Sequence, residues 1–301
     1  MTKRLFTGIY PPLSTYFDED GRFDPQSQAA ALDRIIDAGV DGVLILGSAG
    51  EFFSLTVSER KEIAAFCVKH VAGRIKVLVG TGSCSLSETQ DLTAHAGEIG
   101  ADGVLVINPF YSPMSREGLK KHYAAIAAAA PLPVLVYNFP AMTKQDIPAD
   151  LVVELALECP NIVGLKDSVT DVAHTRTVIL ATNEARSDFC VFSGFDEHIL
   201  NNLALGGVGG IPGTANFAPE VTVGLYRAFK AGDYEKAYVF HRKAAALSAV
   251  YGIETPYFAT LKEAVKLAGV EVGVTVVPPS TPLSDIGKKK LIALFKDNGL
   301  I

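Results

Sequence analysis

The sequence predicts an α/β fold, a closed (β/α)8 barrel with a C-terminal helical extension, and three observations carry that prediction. Short apolar, β-branched runs recur eight times before residue 214, helix-patterned segments with start and stop signals separate them, and beyond residue 218 only helical patterning remains. Nearly continuous apolar runs are what strands look like in a parallel sheet covered on both faces. Eight of them alternating with helices suit a closed barrel better than an open sheet.

The runs, in order, are GIYPPLSTYF (8–17), GVLILG (42–47), KVLVG (76–80), GVLVIN (103–108), PVLVYNF (133–139), IVGLK (162–166), CVFSG (190–194) and GGIPG (209–213). The first intervening segment, 24–39, opens with Asp24 as a cap before a first-turn Pro25 and stops at Gly39, the order of signals a helix requires. Thr56 with Glu59, and Ser85 with Glu88, each fit a capping box. HYAAIAAAA (122–130) reads as a helix whose small side chains let it lie close to the sheet. Helical patterns over 219–250, 256–269 and 284–298 make the extension, so the expected division is a catalytic barrel at 1–218 and an appended bundle at 219–301. An open doubly wound sheet is the alternative. No G-x-G-x-x-G follows the early strands, however, and GSAGEF (47–52) lacks the lysine and hydroxyl residue of a phosphate loop.

Composition narrows the function. With 49% hydrophobic and 20% charged residues the chain has material for a sizeable core, and no run is apolar enough for long enough to span a membrane. MTKRLFTGIY has basic residues with no apolar segment after them, so no secretory signal is read and a cytoplasmic location is the default. Net charge is −6, and Lys288, Lys289 and Lys290 read as a solvated helix face, so nucleic acid is not an expected partner. The four cysteines and six histidines show no metal-ligand spacing; no metal is expected.

In such a barrel, polar residues that follow the strands collect at one face, where the active site lies. Here they are Ser48, Thr81, Asn108 with Tyr111, Tyr137, Lys166 with Ser168, and Asp196 with Glu197. One lysine, two tyrosines, hydroxyls and two acids suit imine chemistry. A free lysine, with a pKa of about 10.4, offers very little neutral amine at pH 7. Desolvation among apolar strands lowers that pKa and frees the nucleophile. Once formed, a protonated imine draws electrons from the adjacent carbon, as carbon–carbon cleavage beside a carbonyl requires, and a tyrosine can carry the protons. Blander readings stand beside this one. Lys166 can pair with Asp167, Tyr137 can be an ordinary core tyrosine, and Asp196 and Glu197 can be acids favoured at a helix start.

The motifs GSAGEF, NPFYSP (108–113), YNFP (137–140), GLKDS (164–168), SGFDE (193–197) and GGVGGIPGTANFAP (206–219), in that order and spacing, resemble the dihydrodipicolinate synthase/N-acetylneuraminate lyase superfamily of pyruvate-dependent class I aldolases. The resemblance covers nearly the whole chain. It implies a barrel with a helical extension, assembled as a homotetramer of two tight dimers, with no cofactor beyond the covalent imine. It further implies that Lys166 is the Schiff-base lysine and Tyr137 the proton-transferring tyrosine. Ser48 would hydrogen-bond that tyrosine, and Tyr111 would reach into a neighbouring subunit's site to complete the relay. The Ala49 and Gly50 amides would receive the pyruvate carboxylate, the Ile211 carbonyl would face the keto acid, and Ser168, Asp196 and Glu197 would bind acceptor hydroxyls.

Three departures refine the expectation. Ala49 replaces the second hydroxyl of the family's G-[ST]-T-G-E loop, which removes one contact to the carboxylate. Met142 stands where dihydrodipicolinate synthases usually carry an arginine for aspartate semialdehyde. Pro212-Gly213 replaces the serine of sialic acid lyases. GEFFSL, YNFPAMTKQDIP and GLKDSVTDVAHTR are most similar to the branch that cleaves 2-keto-3-deoxy-gluconate and -pentonates. The expected activity is therefore a class I aldolase that splits a 2-keto-3-deoxy sugar acid into pyruvate and a short hydroxyaldehyde. A dehydratase on the same imine, a sialic acid lyase-like or dihydrodipicolinate synthase-like activity, a metal-dependent aldolase and a non-catalytic keto-acid binder are the alternatives.

Overall fold

Eight parallel strands form the centre of the computed structural model, which describes residues 4–301. They are β1 (Gly8–Ile9), β2 (Gly42–Ile45), β3 (Lys76–Gly80), β4 (Gly103–Ile107), β5 (Val134–Asn138), β6 (Ile162–Asp167), β7 (Cys190–Ser193) and β8 (Gly209–Gly210). Neighbours are hydrogen-bonded from β2 through β8 and on to β1. The ring closes between β1 and β2, where Asp41 N–H donates to the Ile9 carbonyl at 3.1 Å, Leu44 N–H to Pro11 at 2.9 Å and Leu13 N–H to Leu44 at 2.8 Å. The barrel predicted from the sequence is the fold. Its first strand is shorter than the expected 8–17, because Pro11 and Pro12 have no N–H to give a ladder.

The helices are α1 (Pro25–Asp37), α2 (Val57–Val71), α3 (Leu86–Glu98), α4 (Arg116–Ala129), α5 (Pro140–Thr143), α6 (Ala149–Glu158), α7 (Val172–Ala185), α8 (Ile199–Ala204), α9 (Pro219–Lys230), α10 (Tyr234–Leu247), α11 (Phe258–Leu267) and α12 (Asp285–Asp297). Local chemistry sets several of their starts. Asp24 accepts the Gln26 and Ser27 amides with Pro25 in the first turn, Thr56 and Glu59 form a full capping box, and Ser85 accepts the Glu88 amide. Gly39 follows α1 at φ 79°, a left-handed stop that costs glycine little.

The division expected at 218 falls just before α9. That helix packs against β1, and Arg227 Nη2 reaches the Gly39 carbonyl at 2.8 Å, so α9 sits in the barrel's outer ring. The extension beyond the ring is α10 to α12, with α10 packed along α9. Its α11 packs against the short turn Ser48–Gly50 at the end of β2, which brings the extension to the strands' C-terminal face. No helix of the described residues is long and apolar enough to cross a membrane.

Candidate active site

Parallel register decides which side chains meet. Tyr137 on β5 is the Cα partner of Lys166 on β6, which in turn partners Phe192 on β7. Partners on adjacent strands project to the same face, so the phenol and the amine both point into the barrel. Lys166 is 4% exposed and Tyr137 3%, and the lysine Nζ lies 4.3 Å from the centre of the tyrosine ring. The next residue, Asp167, points outward. It accepts hydrogen bonds from Thr175 at 2.5 Å and Asn138 at 3.0 Å, and pairs with His174 Nδ1 at 2.9 Å. Burial opposes charge on that imidazole, but the Asp167 carboxylate prevails and pushes its pKa up to about 9. The acid next to Lys166 in sequence is therefore committed to another cation, and among the described residues no carboxylate stands within ion-pair distance of Lys166. The ion-pair reading of this lysine falls away.

Burial then acts on Lys166 with little to oppose it. Desolvation lowers its pKa from 10.5 to about 7, partly offset by the more distant Asp196 charge. A pKa near 7 leaves about half the amine neutral at pH 7, against about one part in a few thousand for a free lysine. Tyr137 moves the other way: burial raises it to about 12, with the hydroxyls of Ser48 and Ser168 drawing it back. It remains a neutral phenol at physiological pH, ready to donate. Ser48 Oγ lies 3.5 Å from the phenol oxygen, a long contact of the kind that shortens when substrate binds. Ser168 is held against Gly194, where an added Cβ would sit 1.8 Å from its hydroxyl; only glycine leaves that space. The rate of adduct formation with pyruvate should rise with pH through about 7 and level above it, following deprotonation of the amine. Trapping rates measured from pH 5.5 to 9, about one unit and more either side of the midpoint, would check this.

These groups line a cavity of about 330 Å³. Of the residues expected at the site, Lys166, Tyr137, Ser48, Ala49, Ser168, Glu197 and Ile211 are on its wall. Glu197 Oε2 accepts the Ser248 hydroxyl at 3.0 Å, which leaves its other oxygen for a ligand.

Asp196 is a correction. It was expected to bind substrate hydroxyls, yet its carboxylate is fully buried off the wall and already saturated. It accepts the Thr214 amide at 3.1 Å, the Thr214 hydroxyl, and the Tyr251 hydroxyl at 2.7 Å. Its work is to hold Tyr251 in place. Gly50 is a second correction: its amide donates to the Gly47 carbonyl at 2.9 Å. As in any helical turn, the leading amides are the free ones, here Ser48 and Ala49. Tyr111 is 92% exposed and lines a separate open groove of about 670 Å³ with Cys84 and His122, away from Lys166 of its own chain.

Several wall residues went unnoticed in the sequence. Tyr251, Tyr257 and Leu261 come from the extension, with Tyr257 edge-on to Tyr251 at 5.3 Å and against Phe258 at 4.8 Å. The one sequence signal was an aromatic cluster around Pro256 (YGIETPYF, 251–258). Phe139 and Phe195 also face the cavity and make its apolar side. Among the described residues no three His, Cys, Asp or Glu side chains gather as a metal site would.

A buried neutral amine, a phenol beside it, hydroxyls to move protons and free amides for an anion can together form and use an imine of a 2-keto acid. Comparison with known proteins agrees with that chemistry. A family model described as the dihydrodipicolinate synthetase family matches residues 5–298. The putative 2-dehydro-3-deoxy-D-gluconate aldolase YagE of Escherichia coli K12 is 44% identical over 292 residues, covering 97% of both chains. The probable 2-dehydro-3-deoxy-D-pentonate aldolase YjhH of the same strain is 40% identical over 298 residues, covering 99% of both. A crystal structure of YagE in complex with pyruvate superposes with a TM-score of 0.97 at 43% identity, over 99% of this chain and 100% of that one.

Proposed function

The chain belongs to the dihydrodipicolinate synthetase family, and on that premise we propose that it is a carbon–carbon lyase, a Schiff-base aldolase that cleaves a 2-keto-3-deoxy sugar acid of the gluconate or pentonate type. The observation that carries the reading is Lys166, buried without a carboxylate partner, with its pKa brought to about 7.

In this reading the neutral Lys166 amine attacks C2 of the keto acid, whose carboxylate takes the Ser48 and Ala49 amides. Tyr137 gives a proton to the departing C2 oxygen, which leaves as water. The protonated imine then draws the C3–C4 bonding pair toward nitrogen. As that bond breaks, the C4 hydroxyl proton passes to the tyrosinate left on Tyr137, which Ser48 orients, and C4 leaves as an aldehyde. The restored Tyr137 phenol gives its proton to C3 of the remaining enamine and regains one as water releases pyruvate and the free lysine. Glu197 and Ser168 are at hand for hydroxyls of the sugar chain, while Phe139 and Phe195 keep that side short and dry. The exposed Tyr111 is free to serve a neighbouring subunit, so we read the active form as a homotetramer built from tight dimers. A cytoplasmic setting, and chemistry that needs neither metal nor other cofactor, belong to the same proposal.

Dehydration is the second reading, favoured by the chemistry of the same imine: it acidifies the C3–H bond, and the enamine so formed can expel the C4 hydroxyl, which leaves as water with a proton from Tyr137. Incubation with 2-keto-3-deoxy-gluconate and -pentonates, with products identified, separates the two. Pyruvate and an aldehyde in equal amounts are expected; a longer deoxygenated keto acid without pyruvate would overturn the aldolase reading.

A further inference from the structure

A second buried lysine stands behind the Ser48–Gly50 turn, and we propose that its ion pair with Glu51 is a positioning device for the carboxylate of the bound keto acid. The inference rests on the pyruvate-binding reading above and extends it to two residues outside the cavity wall. Lys262 on α11 pairs with Glu51 Oε1 at 2.5 Å, and both side chains are fully buried. The ammonium also donates to the Thr275 carbonyl at 2.7 Å and lies 4.5 Å from the centre of the Phe17 ring. Glu51 Oε2 accepts the Val277 amide at 3.4 Å. Unlike Lys166, this lysine is caged on every side.

What the cage holds is a strained turn. Leu46 before it and Glu51 after it are both left-handed, at φ 55° and 54°, a conformation unfavourable for residues with a Cβ that persists only where the surroundings impose it. The Glu51 amide donates to the Ser48 carbonyl at 3.1 Å, and the Thr15 hydroxyl to the Gly50 carbonyl at 2.8 Å. With Glu51 pinned through its carboxylate, the turn has one shape, with Ser48 and Ala49 on the cavity wall and the Ser48 hydroxyl toward Tyr137. The anchor is on the helix whose Leu261 and preceding Tyr257 line the same cavity, so one contact ties the carboxylate end of the site to its lid of aromatic residues. A buried ion pair is a poor route to stability, because neutral groups of similar shape often serve as well. Its role here is geometric.

The test is the pyruvate concentration at which borohydride traps half the protein, read with melting temperature. In the doubly neutral Glu51→Gln/Lys262→Met protein no charge is left unpaired, so melting should stay near wild type. Half-trapping should nonetheless need about tenfold more pyruvate, roughly the loss expected when a hydrogen bond to a charged carboxylate is weakened, with full trapping at saturation. Glu51→Asp keeps both charges and shortens the reach by one methylene; it should show the same rise. Wild-type half-trapping in either variant overturns the inference, and so does a double variant that fails to fold, since the pair would then be needed for folding first. Absence of an adduct in wild type is a separate failure, of the aldolase reading itself.

Discussion

Replacing Lys166 by alanine should abolish pyruvate release, a fall on the order of 10⁵-fold or more in turnover, as when other covalent nucleophiles are removed. The expectation is specific because nothing else on the wall can substitute. Lys262 is fully buried and held by Glu51, and no other lysine lines the cavity. The companion expectation concerns stability. Among the described residues Lys166 has no ion pair, and it is buried at a cost, so Lys166→Met, which keeps the bulk and removes the nitrogen, should melt no lower than wild type and should gain up to about 1 kcal/mol. A structural lysine would behave in the opposite way, because its loss strands a partner. Steady-state kinetics and thermal melting on the two variants separate these cases.

Tyr137→Phe should cost about 10²- to 10⁴-fold in turnover, the usual range for one general acid–base group, with a much smaller change in substrate KM. The ring would still stack on Phe139 at 5.8 Å, so packing is retained and only the phenol oxygen is lost. Imine formation should slow along with cleavage, because the departing C2 oxygen and the C4 hydroxyl need the same proton carrier. The pH dependence offers a further check. With burial holding Tyr137 at about 12, wild type should show no limb from tyrosinate formation below pH 9, three units under that value, and its acid limb should follow Lys166 near 7. A variant that keeps wild-type turnover would remove Tyr137 from the mechanism.

The barrel was legible because its signals are local. Apolar runs at 76–80 and 103–108, a cap at Asp24 and a capping box at Thr56 act through residues a few positions apart, and they became β3, β4, α1 and α2. Lys166 was legible for the reverse reason: an ammonium at the end of an apolar strand contradicts its surroundings, and strained or costly groups collect where chemistry is done. Asp196 was misjudged because following a strand does not say which way a side chain turns. Whether it faced substrate or Thr214 and Tyr251 depended on groups 18 and 55 residues away. Gly50 failed on a finer point, since hydrogen bonding inside a three-residue turn decides which amides stay free. The extension's part of the site was hidden for the same long-range reason. Read alone, Tyr251 falls in a link between two helices and Tyr257 at the start of the expected 256–269 helix, and only the packing of α11 against the Ser48–Gly50 turn brings them to the cavity. The Glu51–Lys262 pair spans 211 positions that no local pattern connects.

The most direct measurement is reduction with borohydride in the presence of pyruvate, followed by mass mapping of the peptides. A single reduced pyruvyl adduct on the peptide that carries Lys166, formed faster as pH rises through about 7 and lost in Lys166→Ala, is the result expected. Folded protein that turns over a keto-deoxy sugar acid with the Lys166 peptide unmodified, or with the adduct on another lysine, would contradict the account.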